Sequence, residues 1–421
     1  MRHQRPEDLR PETALLLACA RTTYDDSIRA RIAELLRTPP DWTFLVQTAI
    51  DHGVSPLLCR AMLQVFPDAV PDDVRTAAKT HLDDNDADNR SRTSELLRIL
   101  AALAKKNIPA IPFKGPAVAE RVYGDLSLRR FRDLDFLLRE TDIDAALDVL
   151  RQLDYPTDTG FVSARDPAFR LTPAQTEAFR EYAGEYIFYK RDQSVVIEPH
   201  WHFAPATLCV DVDYVALWRR TFDASLAGAT VRILTPEDEL LMLCIHGSKE
   251  IWTRLQWICD VAELIRAHPD LNWVATLQRA ERQGCERMLL LGLSLAHRLL
   301  QAPLPPTVRK LTEQSAVGAL TRDVERALFA DRGAPTSIYA VSLFRIRMRE
   351  RLRDRWRYVW RTITTPRIQH FEMIALPDAL FFGYVPVKLV HDYVLLPLWL
   401  LAKRLRTVAL ATANRPVQSG G

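Results

Sequence analysis

The sequence predicts an α/β (α+β) fold in which a small mixed sheet is flanked by helical N-terminal and C-terminal regions. Three observations predict it. Residues 108–138 read as strand, tight turn, helix, loop and strand. Residues 185–190 and 194–203 read as a strand pair with a polar turn at 191–193. On both sides of these stretches apolar residues recur at helical spacing. The strand that ends at Leu138 carries Asp133 and Asp135. Alternate residues of a strand share a face, so both carboxylates project together while Leu134 and Phe136 turn into a core. Like charges side by side repel, and a divalent cation with its preference for oxygen ligands is a common reason to tolerate them.

The chain has 421 residues, which allows about two or three domains. With 48% hydrophobic and 26% charged residues it is an ordinary globular chain that can bury a core. A formal net charge of +3 gives no strong signal for nucleic acid bound by bulk charge, while leaving a local patch open. The six cysteines are widely spaced and form no Cys-x-x-Cys pair, so they read as buried free thiols of a reducing, cytoplasmic compartment. The segment Thr13–Ala20 follows Glu7, Asp8 and Glu12 and reads as the buried face of a helix, not a secretory signal.

Taken in order, residues 12–37 are helical in pattern. Pro39-Pro40-Asp41 break the chain and cap a helix that starts near Trp42 and closes at Asp51-His52-Gly53. Residues 54–66 form another helix, and residues 73–106 hold one long helix or two. His52 reads as a helix-end histidine. Asp83, Asp84, Asp86 and Asp88 lack the glycine and terminal glutamate of a calcium loop and read as a solvated helix face.

Ala110–Phe113 is a short apolar strand, Lys114-Gly115 the turn and Ala117–Tyr123 a helix. Pro116 suits the first helical turn, where no donor is needed. A glycine turn feeding a helix N-terminus offers free backbone N–H groups to a phosphate, and Lys114 adds a positive charge beside them. Asp125 reads as a turn or cap residue, and Arg130 and Arg132 as surface residues. Residues 141–153 form an amphipathic helix. In the second strand of the later pair, Glu198, His200 and His202 share one face. Glu198 is the third candidate carboxylate. Pro199 removes a ladder donor and predicts an edge position or a strand start. A zinc site on Glu198, His200 and His202 is the alternative reading, which the oxygen-rich Asp pair upstream disfavours.

Pro236-Glu237-Asp238-Glu239 opens a helix expected to run to about Gly247. His246, Lys249, Trp252, Trp257 and Asp260 follow at spacings that can line a groove, with the tryptophans read as core. Residues 273–301 form two more helices, and Pro303–Pro306 is a break. Beyond it, residues 345–361 are strongly basic with interleaved aromatics, a composition that can suit nucleic acid, an anionic membrane surface or an acidic partner, and they read first as a solvated helix face. Tyr393–Ala402 is apolar but too short to cross a bilayer, so no transmembrane segment is expected. Peripheral membrane contact or self-association through this extension stays open. Asn414–Gly421 reads as disordered.

Phe113-Lys114-Gly115, Tyr123-Gly124-Asp125, Arg129 and Asp133-Leu134-Asp135 together resemble the uncharacterised nucleotidyltransferase family of the DNA polymerase beta nucleotidyltransferase superfamily. Ile197–Trp201 resembles its third-carboxylate strand, and His246-Gly247 and Leu255–Asp260 its downstream helical segment. The resemblance implies a polymerase-beta-like core at residues 108–235, between a helical region at 1–107 and a helical domain at 236–302 that completes the cleft, with an extension at 303–421. It further implies Mg²⁺-dependent transfer of a nucleoside monophosphate from an NTP to a hydroxyl, with a small molecule as acceptor and pyrophosphate released. Asp133 and Asp135 would hold two Mg²⁺ ions, and Glu198 would share one and act as base. Lys114 and Gly115 would cradle phosphates with Arg129 assisting, and His246 and Lys249 would border the nucleotide or acceptor pocket. Two features depart from the pattern. Lys-Gly replaces the superfamily's usual Gly-Ser, and Glu198 stands where aspartate is common. The alternatives are a protein-modifying, toxin-like or regulatory nucleotidyltransferase and a non-catalytic nucleotide-binding scaffold.

Overall fold

The computed structural model describes residues 10–157, 169–192, 194–330 and 338–399, with Ala402 and Arg406. Gln193 of the expected polar turn and the expected disorder at Asn414–Gly421 lie outside the described residues. Four strands form the mixed sheet: β1 (Ala110–Pro112), β2 (Asp133–Leu138), β3 (Phe188–Tyr189) and β4 (Val196–His200), in the order β1-β2-β4-β3. β2 runs antiparallel to β1 and parallel to β4, with Asp135 directly opposite Glu198. The opposite face of the sheet is apolar. Leu134, Phe136 and Ile197 are fully buried in a cluster with Leu96, Ile99 and Leu103 of the helix Asp72–Lys105 and Ile143, Ala146 and Leu150 of the helix Ile143–Gln152.

β4 is an interior strand, which corrects the edge position expected from Pro199. The carbonyl of Pro199 accepts from Tyr186 N, on the side away from β2. The N–H and C=O of one strand residue point the same way, so the missing donor faces a stretch where β3 has already ended. β4 stops at His200, and the backbone N–H groups of Trp201 and His202 turn to the Gly184 carbonyl. His202 therefore leaves the face that carries Glu198 and His200. It lines a separate pocket with Glu140, Arg180 and Glu181.

The N-terminal helices are resolved as follows. Residues 12–37 split into Pro11–Cys19 and Asp26–Leu35, the second capped by Asp25, whose carboxylate accepts from Ile28 N. Residues 73–106 form a single helix of 34 residues, Asp72–Lys105. Its polar middle is not wholly solvated. Asn85 and Asn89 are buried and donate to the carbonyls of Leu126, Ser127 and Arg129, fixing the loop that leads into β2. A hairpin the sequence did not announce, β5 (Phe222–Leu226) and β6 (Ala229–Ile233), closes over Ala227-Gly228. Both turn residues have positive φ, +48° and +82°, as a two-residue hairpin turn requires.

The helices Pro236–Lys249, Leu255–Ala267, Trp273–Gln283 and Glu286–Leu300 make the second half of the body. The link after the first of these is strained: Ile251 and Trp252 both sit in the left-handed region, at φ +49° and +55°. Burial of the Trp252 indole against Gly247 and Gly292 offsets that cost. A Cβ on Gly247 would lie 2.5 Å from the indole.

The extension docks through its arginines. Arg349 is buried and donates to the carbonyls of Thr207 and Leu208, Arg361 donates to that of Ala206, and Arg353 and Arg357 pair with Asp211. The basic run at 345–361, expected as a solvated face, is thus largely an internal fastening. The apolar C-terminal segment is also longer than expected. Asp378–Trp399 is one helical run of 22 residues, long and apolar enough to cross a membrane by length and composition. A π turn at His391–Leu395 precedes Pro397, and such a turn loosens the backbone where proline lacks a donor.

The packing around Trp252 generates a direct test. Gly247→Ala forces the indole out of its seat, and urea denaturation should show a loss of about 1–3 kcal/mol. Unchanged stability would mean that the Ile251–Trp252 link relaxes freely.

Candidate active site

Asp133 and Asp135 stand on β2 and Glu198 on β4, all facing a cleft of about 750 Å³ between the sheet and the helical body. Lys114, Gly115, Arg129, His246 and Lys249 line the same cleft. The structure thus brings together all eight residues singled out from the sequence. Lys114 and Gly115 are both left-handed, at φ +57° and +38°. A Cβ at Gly115 would meet only ordinary contacts, the nearest at 3.6 Å, so the backbone conformation is what calls for glycine there.

Asp135 is almost wholly buried and its charge is balanced twice. Lys114 Nζ lies 2.5 Å and His200 Nε2 3.0 Å from its Oδ1. Burial works to raise this carboxyl, but Lys114 and His200 outweigh burial and hold it well below the usual carboxylate range. Among the described residues Asp133 has no ion pair, and Lys114 acts on it only weakly. Burial and the neighbouring Asp135 push it up to about 6. Neighbouring carboxylates thus take opposite directions because the cations favour one of them.

His200 is the centre of a chain of charges. Its Nδ1 lies 3.1 Å from Glu185 Oε2, and Glu185 Oε1 lies 3.1 Å from Lys249 Nζ. Burial lowers the proton affinity of His200, yet Asp135, Glu185 and Glu198 override it and push the imidazole up to about 10. The ring is therefore a cation at neutral pH. The departure of His202 removes one of the three ligands that the zinc reading needs. His246 is neutral: burial, with Lys114 and Lys249 nearby, keeps it well below its ordinary value. It meets Trp257 edge-on, with ring centroids 5.6 Å apart.

Arg129 lines the cleft but its guanidinium is engaged. Nε and one terminal nitrogen each lie 2.8 Å from an oxygen of Asp260, and Tyr123 Oη donates to the same carboxylate at 2.7 Å. Arg130, Arg132 and Arg254 line the cleft near Asp133, and among the described residues none has a carboxylate partner. Burial, and then repulsion from Arg132 and Arg254, lowers the proton affinity of Arg130.

The donor atoms of Asp135, Glu198 and His200 lie within 4.8 Å of one another and could hold a metal ion. Asp135, Glu198 and the nearby Asp133 offer oxygen donors to such an ion. An all-oxygen set suits Mg²⁺.

The family profile described as "uncharacterised nucleotidyltransferase" matches residues 38–301. The chain belongs to this nucleotidyltransferase family. No curated protein is similar enough in sequence to match it. Among solved structures, the antibiotic-resistance factor ANT(2'')-Ia is similar at 12% identity and a TM-score of 0.30, over 46% of this chain and 92% of that one. In this chain Asp133, Asp135 and Glu198 stand on two adjacent parallel strands of the mixed sheet.

Three features of the site were not anticipated from the sequence. Glu185 gave no motif signal, because its role depends on pairing with His200 across β4. The Arg129–Asp260 pair joins residues 131 positions apart. The arginine rim lies partly in the same short run as Arg129, where spacing alone cannot tell a partnered guanidinium from a free one.

Two measurements follow. Arg129→Ala leaves Asp260 buried without its cation and should cost about 3–5 kcal/mol in chemical denaturation. Arg129→Lys should recover little, since one ammonium cannot make both bonds. A mild effect on stability would show that the pair is dispensable to the fold. For Asp133 the folded state raises the pKa, so folding takes up a proton as pH falls through about 6. Its ionised form therefore costs stability at pH 7, and that cost fades towards pH 5. In EDTA, Asp133→Asn should stabilise by about 1–3 kcal/mol at pH 7 and clearly less at pH 5. A gain independent of pH would contradict the assignment.

Proposed function

We propose that this nucleotidyltransferase transfers a nucleoside monophosphate from an NTP to a hydroxyl group of a small-molecule acceptor and releases pyrophosphate. The observation that carries the proposal is the register of β2 and β4, which sets Asp135 directly opposite Glu198 on the floor of the cleft. Asp133, Asp135 and Glu198 would hold the Mg²⁺ ions, two by the number of carboxylates. When bound, these ions would stabilise charge on the attacking and leaving oxygens.

The residues of the chain divide the remaining work. A carboxylate oxygen of Glu198 accepts the proton of the acceptor hydroxyl as the hydroxyl oxygen attacks the α-phosphorus. The bond from the α-phosphorus to its bridging oxygen breaks, and pyrophosphate leaves with the bonding pair. Arg130, Arg132 and Arg254 bind the β- and γ-phosphates, aided by the backbone at Gly115. Lys114 and His200 hold Asp135 in its ionised form. Arg129 positions the loop into β2 through Asp260. Lys249 is held at the cleft wall by Glu185, and neutral His246 offers a polar contact to the acceptor without adding charge. A cleft of about 750 Å³ suits a nucleotide with a small acceptor better than a folded protein substrate. The six described cysteines, all buried and unpaired, fit a reducing cytoplasm.

Calorimetric titration of each NTP in Mg²⁺, with pyrophosphate release followed in the same samples, tests the proposal. One NTP should bind only with the metal and turn over slowly. Asp135→Asn should weaken that binding and reduce turnover at least about 100-fold, while Glu198→Gln should lower turnover more than binding. Arg130→Ala with Arg254→Ala should weaken NTP binding at least about tenfold. Well-folded protein that binds no NTP in Mg²⁺ would overturn the reading.

A further inference from the structure

The helical run Asp378–Trp399 is inside out for a helix in water. A surface helix of a soluble protein turns its apolar stripe inward and its charges outward. Here Lys388 and Asp392 turn inward. Lys388 is 1% exposed and its Nζ lies 2.7 Å from Asp392 Oδ2. Asp392 also meets His391 Nδ1 at 2.7 Å and His370 Nε2 at 3.1 Å, the latter from the fully buried side chain of His370 in the helix Ile368–Met373. The outward face is apolar: Phe382 is 72%, Leu398 58% and Trp399 58% exposed. The helix Leu352–Thr364, which packs against this run, adds a second ridge of Leu352, Trp356 and Trp360 at intervals of four, with Trp356 73% exposed.

We propose that this face docks on an anionic lipid bilayer, with the run lying in the plane of the membrane surface. Charge selects the occupant. After Asp392 the sequence has no acidic residue and four cations, Lys403, Arg404, Arg406 and Arg415. Anionic headgroups neutralise these cations, which an apolar partner face would not do. Tryptophan and tyrosine, here Trp356, Trp360, Tyr393 and Trp399, are the side chains that favour the headgroup boundary. The run has the length and composition to cross a bilayer, but the Lys388–Asp392–His370 cluster ties one flank to the protein. An interfacial helix needs only its free flank in lipid.

Flotation of the full-length protein with vesicles tests this, using phosphatidylcholine alone or with about 30% phosphatidylglycerol. The protein should float with the anionic vesicles only, and its tryptophan emission should move to shorter wavelength on binding. Trp356→Ser with Trp360→Ser, and separately Leu395→Glu with Leu398→Glu, should each weaken binding at least about tenfold. All four side chains are exposed, so circular dichroism and the melting temperature should stay unchanged. The proposal is overturned by absence of binding to either vesicle, or by binding that both variants leave intact, which would be charge alone. It is equally overturned by a stable dimer in solution that the same variants dissociate and that does not float.

Discussion

A buried carboxylate, Asp135, imposes more on this protein than any other group. It has 2% side-chain exposure and faces a second carboxylate, Glu198, across a parallel ladder. An isolated charge in that position would cost far more than the fold can spare. Lys114 and His200 meet the demand, and each has consequences of its own. Lys114 reaches Asp135 from a turn whose two residues are both left-handed, which commits the connection between β1 and the helix Gly115–Arg121. His200 is buried as a cation, and that in turn requires Glu185, which requires Lys249. The chain of alternating charges therefore runs from the sheet across the cleft to the end of the helix Pro236–Lys249. The two walls of the cleft are coupled by electrostatics as well as by packing.

The same network explains how much of the site was legible in the sequence. Asp133, Asp135 and the Lys114-Gly115 turn lie within one short stretch, where strand alternation and turn chemistry act locally and leave a pattern. Glu198 was legible because alternation also sets its face, although the neighbouring proline pointed to the wrong place in the sheet. Proline is excluded from an interior ladder only where a partner needs its N–H, and β3 is too short to need it. His202 was misplaced for a related reason. Alternation holds only while the strand lasts, and β4 ends at His200. Glu185 and Asp260 acquire their roles from contacts between distant segments, which no local period records.

The fold was legible in class and in most helices, less so in its fastenings. A basic run near the C-terminus looked like a solvated face, and Asn85 and Asn89 gave no signal among aspartates that do face water. Asn85 and Asn89 instead hold the loop before β2, and Arg349 and Arg361 bind backbone carbonyls of the segment after β4. Polar side chains that satisfy backbone groups of irregular segments are indistinguishable by composition from side chains that face water. Their use here follows from the irregular connections on either side of β4, whose carbonyls need donors when buried.

The pairing of Arg129 with Asp260 bears on how the molecule comes into being. Strands β1 and β2 are close in sequence and can meet early, while the guanidinium that follows their connection waits for a partner 131 residues further on. Closing so long a loop is slow, and contacts of this span lower folding rates. During synthesis on the ribosome the cation-rich loop at 129–132 therefore emerges well before Asp260 exists to receive it. The cleft can close around Arg129 only once residue 260 has been made. A chain interrupted before residue 260 would carry the acidic strand and the arginines but not the carboxylate that holds Arg129.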